Sequence, residues 1–349
     1  MRHLALLCVR NEGAFLLEWL AHHRAVGFDH FTVFSNDCAD GTDEMLDRLA
    51  ALGLLTHVRN PGPYEGRGIQ FTALQMAAAR PEVQAADWIL PLDLDEFVNI
   101  HVGDHTLAAL HGALPEATAI TLTWRLFGSS GRRRYEDEPV TESFLRCAPR
   151  RMAWPWRAAM FKTLYRNDGT YRKPGVHRPR APRPGRLPAA RWFDGSGRAL
   201  PEELKERRIF SPVAQENHAL VQLNHYPLGS MESYLLKCDR GRAVHGDQPL
   251  GMDYWVERNF NAEEDASILS LAPARRAEEA RLRADPVLGP LHEAAVAWRK
   301  ARFLALLREE PYRALYGRLL MTPPSIPLMP DRAGFLLAQA RAAHQSDPE

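Results

Sequence analysis

The sequence predicts an α/β protein, a layered sheet flanked by helices with a helical C-terminal extension. Three observations predict it. Short β-like runs alternate with helix-like stretches over the first 125 residues, the pattern of βα layers. The apolar run Trp88-Ile-Leu-Pro-Leu92 has strand character and delivers two carboxylates, Asp93 and Asp95, at its end. The last hundred residues are rich in Ala, Leu, Arg and Glu at helical spacing.

Each element follows from local pattern. Leu4–Val9 reads as a strand, and Glu12–Val26 as a helix with Phe15, Leu16, Trp19, Leu20 and His23 on one face and Gly27 as its stop. His30–Ser35 is the next strand. Asp40-Gly-Thr42 opens a helix through about Leu52, with Gly53 as its C-cap and a strand at Leu54–Val58 after it. The alanine-rich stretch Ile69–Ala79 predicts a helix leading into the strand that ends at Asp93, and a short helix near Thr106–Leu114 precedes a strand near Ala119–Arg125. From about residue 126 the periodicity weakens, and it resumes near Val221. A long irregular segment inside a domain points to function more often than to decoration. Helices are expected at Pro273–Ala284 and Leu291–Arg308, with a break where Pro323, Pro324, Pro327 and Pro330 remove backbone donors.

Composition narrows the class. With 349 residues, 45% hydrophobic and 25% charged, the chain suits one large domain with additions or two ordinary domains. No apolar run approaches the ~18–20 residues of a membrane span, and the first ten residues hold too short an apolar core for a secretory signal, so a cytoplasmic location is expected. Cys8, Cys38, Cys147 and Cys238 lie far apart without a Cys-x-x-Cys pair, which argues against a zinc site or a disulfide framework. The net charge of +1 hides an asymmetry: residues 143–193 hold many Arg and Lys and a single acid, Asp168. Within them Arg172–Arg186 is also Pro-rich and is expected to be an irregular loop, either a solvated surface or a clamp for phosphate, an anionic membrane or nucleic acid.

Side chains in a strand alternate faces, so Asp93 and Asp95 are expected to point the same way, about 6–7 Å apart. That spacing suits a hard divalent cation held by oxygen ligands with open positions for a phosphate-bearing substrate. An isolated Asp-x-Asp is as readily a strand cap, so the rest of the chain decides. Val9-Arg-Asn-Glu12 ends the first strand, Ser35-Asn-Asp-Cys-Ala-Asp-Gly-Thr42 the second and Asp93-Leu-Asp-Glu96 the fourth, and strand ends of this kind line the ligand crevice of an open α/β sheet.

Further blocks follow in order: Glu18-Trp19, Gly27-Phe-Asp-His30, Trp124-Arg-Leu-Phe-Gly-Ser-Ser-Gly131, Thr141-Glu-Ser-Phe144, and Asn224-His-Tyr226 with Lys237 and Arg240-Gly-Arg242. The ordered set, from about Leu4 to Arg242, resembles the family 2 glycosyltransferases of the GT-A fold, and more closely their family 92-like branch. The resemblance implies a mixed central sheet flanked by helices as a catalytic domain over residues 1–250, with the helical extension over 251–349. It also implies transfer of a sugar from a nucleotide-diphosphate donor to an acceptor hydroxyl, with inversion at the anomeric carbon.

The residues suit that chemistry. Departure of a nucleoside diphosphate builds negative charge that a divalent metal, Mn2+ or Mg2+, offsets. Asp95 is the expected direct ligand, Asp93 holds the donor ribose or the metal through water, and His225 is the candidate further ligand, with His177 as its rival. The donor base is expected against Val9, Asn11 and Glu12 and near Asn36 or Asp37. Ser35-Asn36 stands where the family commonly has an acidic pair, which leaves the base open. Arg67 and Gln70 are placed within reach of the donor, and Lys162, Arg240 and Arg242 offer charge to the diphosphate. Inversion needs a base beside the acceptor hydroxyl, for which Glu142 is the first choice and Asp137 or Glu138 the reserve. Trp124 and Trp154 or Trp156 offer faces for sugar stacking.

Two other enzyme classes fail on the sequence. An Asp-x-Asp-x-Thr phosphatase would carry its nucleophile after the first strand and a hydroxyl where Phe97 stands; a sugar-nucleotide pyrophosphorylase would need a Gly-rich phosphate loop that Arg10-Asn-Glu-Gly13 does not supply. The reading from another class is a binding protein that uses its basic segment on nucleic acid or an anionic membrane, or an inactive glycosyltransferase-like chain. No nucleic-acid module is recognisable, so no nucleic-acid partner is expected. The acceptor is expected to be a glycan, a lipid-linked precursor or a protein. The basic amphipathic stretch Trp298–Arg308 packs on the catalytic domain or makes a peripheral contact with the inner face of the membrane.

Overall fold

The computed structural model describes residues 1–62, 64, 68–213, 215–241 and 250–346. The chain begins β1 (His3–Val9), α1 (Gly13–Val26), β2 (His30–Ser35), α2 (Thr42–Ala51), β3 (Thr56–Arg59), α3 (Ile69–Ala78), α4 (Pro81–Gln84), β4 (Trp88–Leu92), β5 (Glu96–Ile100), α5 (Leu107–Ala113) and β6 (Ala119–Leu126). It continues through α6 (Val140–Ser143), β7 (Arg146–Cys147), β8 (Phe161–Arg166), the hairpin β9 (Tyr171–Lys173) and β10 (Arg180–Pro182), β11 (Trp192–Asp194), α7 (Glu202–Glu206) and β12 (Val221–His225). Then come α8 (Met231–Arg240), α9 (Met252–Val256), β13 (Glu263–Glu264), α10 (Ala272–Arg283), α11 (Leu288–Leu306), α12 (Glu310–Met321) and α13 (Pro330–Ser346).

Nine strands form one mixed sheet in the order β3-β2-β1-β4-β8-β6-β12-β5, with β11 added beside β6. Strands β3, β2, β1 and β4 are parallel, and β8 runs antiparallel between β4 and β6. Since β6 and β12 are parallel and β5 is antiparallel to β12, the C-terminal ends of β1, β2, β4, β6 and β12 and the start of β5 share one edge. This is the mixed, helix-flanked sheet expected of the GT-A fold, with helices following it.

The period-2 alternation of β1 divides the core. Ala5, Leu7 and Val9 face the cluster built with Leu16, Trp19 and Leu20 of α1 and Met45, Leu46 and Leu49 of α2. Leu4 and Leu6 face the opposite cluster with Ala73, Leu74 and Ala77 of α3. Gly27 ends α1 at φ +108°, a left-handed position that costs a residue with a Cβ but not glycine.

Two expectations need correction. The Asp-x-Asp pair does not lie along a strand: β4 stops at Leu92, and Asp93–Asp95 form a turn closed by the Glu96 N–H donating to the Asp93 carbonyl at 3.0 Å. The segment 126–221 is less irregular than its weak periodicity implied. Its strand β8 is inserted at the centre of the sheet, where Phe161, Leu164 and Tyr165 are buried on both faces and so show no alternation. Helices α10 and α11 pack on α1, and α11 packs also on α2 and α8. Phe303 and Leu306 of the basic stretch Trp298–Arg308 are buried there. No helix of the described residues is long and apolar enough to cross a membrane.

Candidate active site

The shared sheet edge gathers the motifs. Two residues past β1 and β2, Asn11 and Asp37 adopt left-handed backbone at φ +52° and +49°, a conformation that Asn and Asp tolerate better than most residues. Asn11 Oδ1 accepts the Ala39 N–H at 2.7 Å and so ties the two strand ends together. Asp40 accepts from Gly13 N at 2.9 Å and Thr42 N at 3.0 Å, while Thr42 Oγ1 accepts from Glu12 N at 3.1 Å. The block Asp40-Gly-Thr42 therefore fixes the N-termini of α1 and α2.

The turn sends the two aspartates to different partners. Asp93 accepts from Gln70 Nε2 at 2.8 Å and from Lys162 Nζ at 2.9 Å. Asp95 Oδ2 lies 2.6 Å from Lys237 Nζ and 3.7 Å from His225 Nε2. Burial alone would raise both carboxyls, but Lys162 holds Asp93 below the usual carboxylate range, and Lys237 with His225 holds Asp95 well below it. Beneath them Glu96, fully buried, accepts from Asp93 N at 2.8 Å and Trp124 Nε1 at 2.6 Å, with Lys162 Nζ at 3.4 Å. Glu96 thus fixes both the turn and the Trp124 ring, which packs on His225 at 4.2 Å between centroids.

A cleft of ≈ 720 Å³ opens on this edge. Of the expected residues it brings together Val9, Glu12, Asn36, Gln70, Asp93, Asp95, Trp124, Trp156, His225 and Arg240. Glu12 forms an ion pair with Arg240, and burial pushes its carboxyl up against that pull. Three further side chains of the basic segment and its surroundings, Arg157, His177 and Arg180, also line the cleft, so the Pro-rich stretch is in part a wall of the site. Lys237, Tyr254 and Arg258 complete the opposite wall. Lys237 was visible in the sequence only as part of a motif without a role; its helical spacing to Arg240, one turn on α8, is the signal that places both at the cleft.

Other expected residues lie elsewhere. Asn11 is on a neighbouring cavity and Asp37 accepts from the Tyr64 hydroxyl at 3.3 Å; neither lines the cleft. Lys162 is 0% exposed and its charge is taken by Asp93 and Glu96, so it supports the turn from behind and is not available to a diphosphate. Arg67 and Arg242 lie outside the described residues. None of the three candidate bases lines the cleft. Glu142 is held by Arg275 and Arg276, Asp137 by Arg283 and His292, and Glu138 by Arg132. The physical reason is the C-terminal region: α10 supplies Arg275, Arg276 and Arg283, which draw Glu142 and Asp137 into structural ion pairs. Trp154 does not line the cleft either.

Asp95 Oδ2 and His225 Nε2 lie 3.7 Å apart, too far for a hydrogen bond but close enough for one carboxylate oxygen and one imidazole nitrogen to share a divalent cation. Asp93 is less suited to direct ligation, because both of its oxygens are engaged. Among the described residues no cluster of three or more His, Cys, Asp or Glu converges on a single ion position, which leaves the other ligands to a bound substrate or water. His177 donates Nδ1–H to the Phe161 carbonyl at 3.0 Å, so Nε2 is the nitrogen left with a lone pair. Burial and the Lys162 ammonium push its pKa down to about 4.

The sheet order and this edge define a GT-A-type α/β protein with a candidate transferase cleft. Residues 6–180, half of the chain, match glycosyltransferase family 92, and the chain belongs to that family. It is 25% identical over 142 residues to the glycosyltransferase family 92 protein Os08g0121900 of Oryza sativa subsp. japonica, covering 39% of this chain and 23% of that protein. It is 23% identical over 141 residues to the family 92 protein RCOM_0530710 of Ricinus communis, covering 39% and 24%. The aligned part thus spans about a quarter of either relative. Among solved structures, S. aureus TarS in complex with UDP-GlcNAc is similar over 90% of this chain and 84% of that one, at 13% identity and a TM-score of 0.33. A score that low adds nothing to the assignment, which rests on the family and on the sheet itself.

Proposed function

We propose that this chain is a metal-dependent, inverting glycosyltransferase that moves a sugar from a nucleotide-diphosphate donor to an acceptor hydroxyl. The observation that carries the reading is the meeting of Asp95, His225, Lys237 and Arg240 on one sheet edge, at the mouth of the ≈ 720 Å³ cleft of a family 92 chain. When bound, Mn2+ or Mg2+ at Asp95 and His225 supplies Lewis-acid stabilisation of the leaving diphosphate. Lys237 and Arg240 add positive charge to the same oxygens, the guanidinium by a fork and the ammonium as a point charge. Val9, Asn36 and Gln70 line the donor end. Trp124 and Trp156 give the sugar flat apolar faces.

With Glu142, Asp137 and Glu138 engaged away from the cleft, His177 is the group we assign to accept the proton of the acceptor hydroxyl. Its ring is neutral at pH 7 and, at about 4, has the basicity of a carboxylate. Residues 1–250 are read as the catalytic unit and 251–349 as an extension on it, at work in the cytoplasm on a glycan, lipid-linked or protein acceptor. The test is a binding and hydrolysis screen of nucleotide sugars with manganese, repeated with Asp95→Ala. The reading fails if no nucleotide sugar binds, or if wild type and variant bind and turn over alike.

A further inference from the structure

Beside the cleft lies a second cavity of ≈ 90 Å³, open to solvent on one side and lined by α1, α8, α11 and the loop 132–144. A single water needs on the order of 15 Å³, so there is room for a small molecule. Its walls are largely aromatic and aliphatic: Phe15, Phe97, Phe144, Tyr226, Leu236 and Trp298. The two cavities share Glu12, Leu94, Asp95, Lys237 and Arg240 as a partition.

Two polar groups on this apolar wall lack partners. Arg299 is 8% exposed, and its Nε is buried without a hydrogen bond; its guanidinium bonds only the Ser233 carbonyl, at a long 3.5 Å. Tyr135, also 8% exposed, has a buried hydroxyl with no partner. The Arg299 Cζ lies 4.5 Å from the Phe15 ring centroid and 5.0 Å from that of Tyr135, two rings that meet edge to face at 5.8 Å, so the guanidinium rests against an aromatic corner. A buried donor left unsatisfied is destabilising, and more so when it is charged. Such a pair is therefore expected to have an occupant.

The charges around the cavity decide the sign of that occupant. Glu12 pairs with Arg240, Asp95 with Lys237, Glu138 with Arg132 and Asp239 with Arg302, and the exposed Arg134 and Glu136 add one charge of each sign at the rim, leaving Arg299 as the buried charge. No carboxylate among the described residues pairs with Arg299, which leaves a buried positive charge. Burial lowers its pKa to about 10, still charged at neutral pH, and pushes the Tyr135 hydroxyl up, so that it remains a donor.

We propose that this cavity is a second ligand site, distinct from the donor cleft, that binds a small organic carboxylate through the Arg299 guanidinium and the Tyr135 hydroxyl, with the ligand's apolar body against Phe15, Phe97, Phe144 and Trp298. Arginine's planar fork matches a carboxylate, and the aromatic side chains beside it offer the ligand's body an apolar face.

The test uses 19F NMR of 4-fluorobenzoate and 4,4,4-trifluorobutanoate against the full chain, with 4-fluorobenzamide as the neutral control. Saturable binding of at least one carboxylate is expected, at least tenfold tighter than the amide and unchanged by saturating UDP. Tyr135→Phe and Arg299→Gln should each weaken it at least tenfold; Tyr135→Phe keeps the ring and guards against a folding defect in the arginine variant. The proposal is overturned if neither carboxylate binds below 10 mM, if the amide binds as well, if UDP displaces the probe, or if the folded Tyr135→Phe variant binds unchanged. Donor binding is read separately with UDP, so a failure here and a failure of the transferase reading are distinguishable.

Discussion

Lys237 Nζ lies 2.6 Å from Asp95 Oδ2, so the carboxylate proposed to ligate the metal is paired with a side chain. A cation arriving at Asp95 meets that ammonium, and a diphosphate offers the ammonium somewhere else to go. Lys237→Met is expected to tighten Mn2+ binding to the nucleotide-free protein and to weaken UDP binding, each by about tenfold, as expected for ~1–2 kcal/mol of charge interaction in a partly solvated cleft. Mn2+ titration followed by EPR reads the first effect and calorimetry the second. Weaker Mn2+ binding in the variant would rule out this competition.

Glu142→Ala should leave kcat within threefold of wild type. Its carboxylate is bound by Arg275 and Arg276 on α10, and it does not line the cleft. The loss should instead fall on stability, at about 1–3 kcal/mol, since Arg275 is buried and keeps Glu279 as its other partner. Urea unfolding and steady-state rates measured together separate the two. A fall in kcat of a hundredfold without unfolding would return Glu142 to the chemistry.

His177→Asn is expected to lower kcat about 10²–10⁴-fold while UDP affinity stays within threefold, as for loss of a general base that does not touch the donor. Unchanged turnover in a folded variant would remove His177 from that role.

Glu96→Ala should be among the most destabilising single changes at the site, at about 3–5 kcal/mol. It leaves Lys162 with Asp93 alone and strips the Asp93 N–H and Trp124 Nε1–H of their acceptor. Denaturant unfolding gives the magnitude, and altered tryptophan emission should report the freed Trp124 ring. Stability within 1 kcal/mol of wild type would contradict the proposed hold on the turn.

Acid should weaken the fold through its buried histidines, against a smaller opposing contribution from the buried carboxyls Glu18 and Glu96, whose pKa values burial raises to about 7 and about 8. His22 Nε2–H donates to the Val98 carbonyl at 2.8 Å in the core, and burial pushes its pKa down to about 4; burial and the facing His3 do the same to His111. Unfolded, both titrate near 6.5, so between about pH 6.5 and 4 the unfolded chain binds more protons and stability falls as pH falls. For the fully buried His22 the loss is about 3 kcal/mol across that window. Melting temperature measured from pH 7.5 to 4.5 should drop steadily, and His22→Gln should flatten the slope. An unchanged slope in the His22→Gln variant would mean that this ring charges in place.

The elements of the N-terminal half were legible because their residues answer to local rules. Gly27, Asp40-Gly-Thr42 and the alternation of β1 act within a few residues of themselves, and the helices and strands expected there fall within a few residues of observed ones, whereas the short α4 and strand β5 were not expected. Where the chain is buried on both sides, as in β8, periodicity disappears and so did the expectation. The site divides the same way. Asp95, His225 and Arg240 were named from ordered motifs at strand and helix ends, and parallel strands carry such ends to one edge. The base was not legible, because a carboxylate's role depends on which cation reaches it. Glu142 and Arg275 lie 133 residues apart, and only the packing of α10 against α1 makes them partners. The sequence by itself determined the layered sheet and the residues at its working edge. Tertiary structure alone decided that Asp93 and Asp95 face different lysines, that Lys162 stands behind the turn, and that Arg299 is enclosed without a counter-charge, because each depends on long-range contacts that no local pattern encodes.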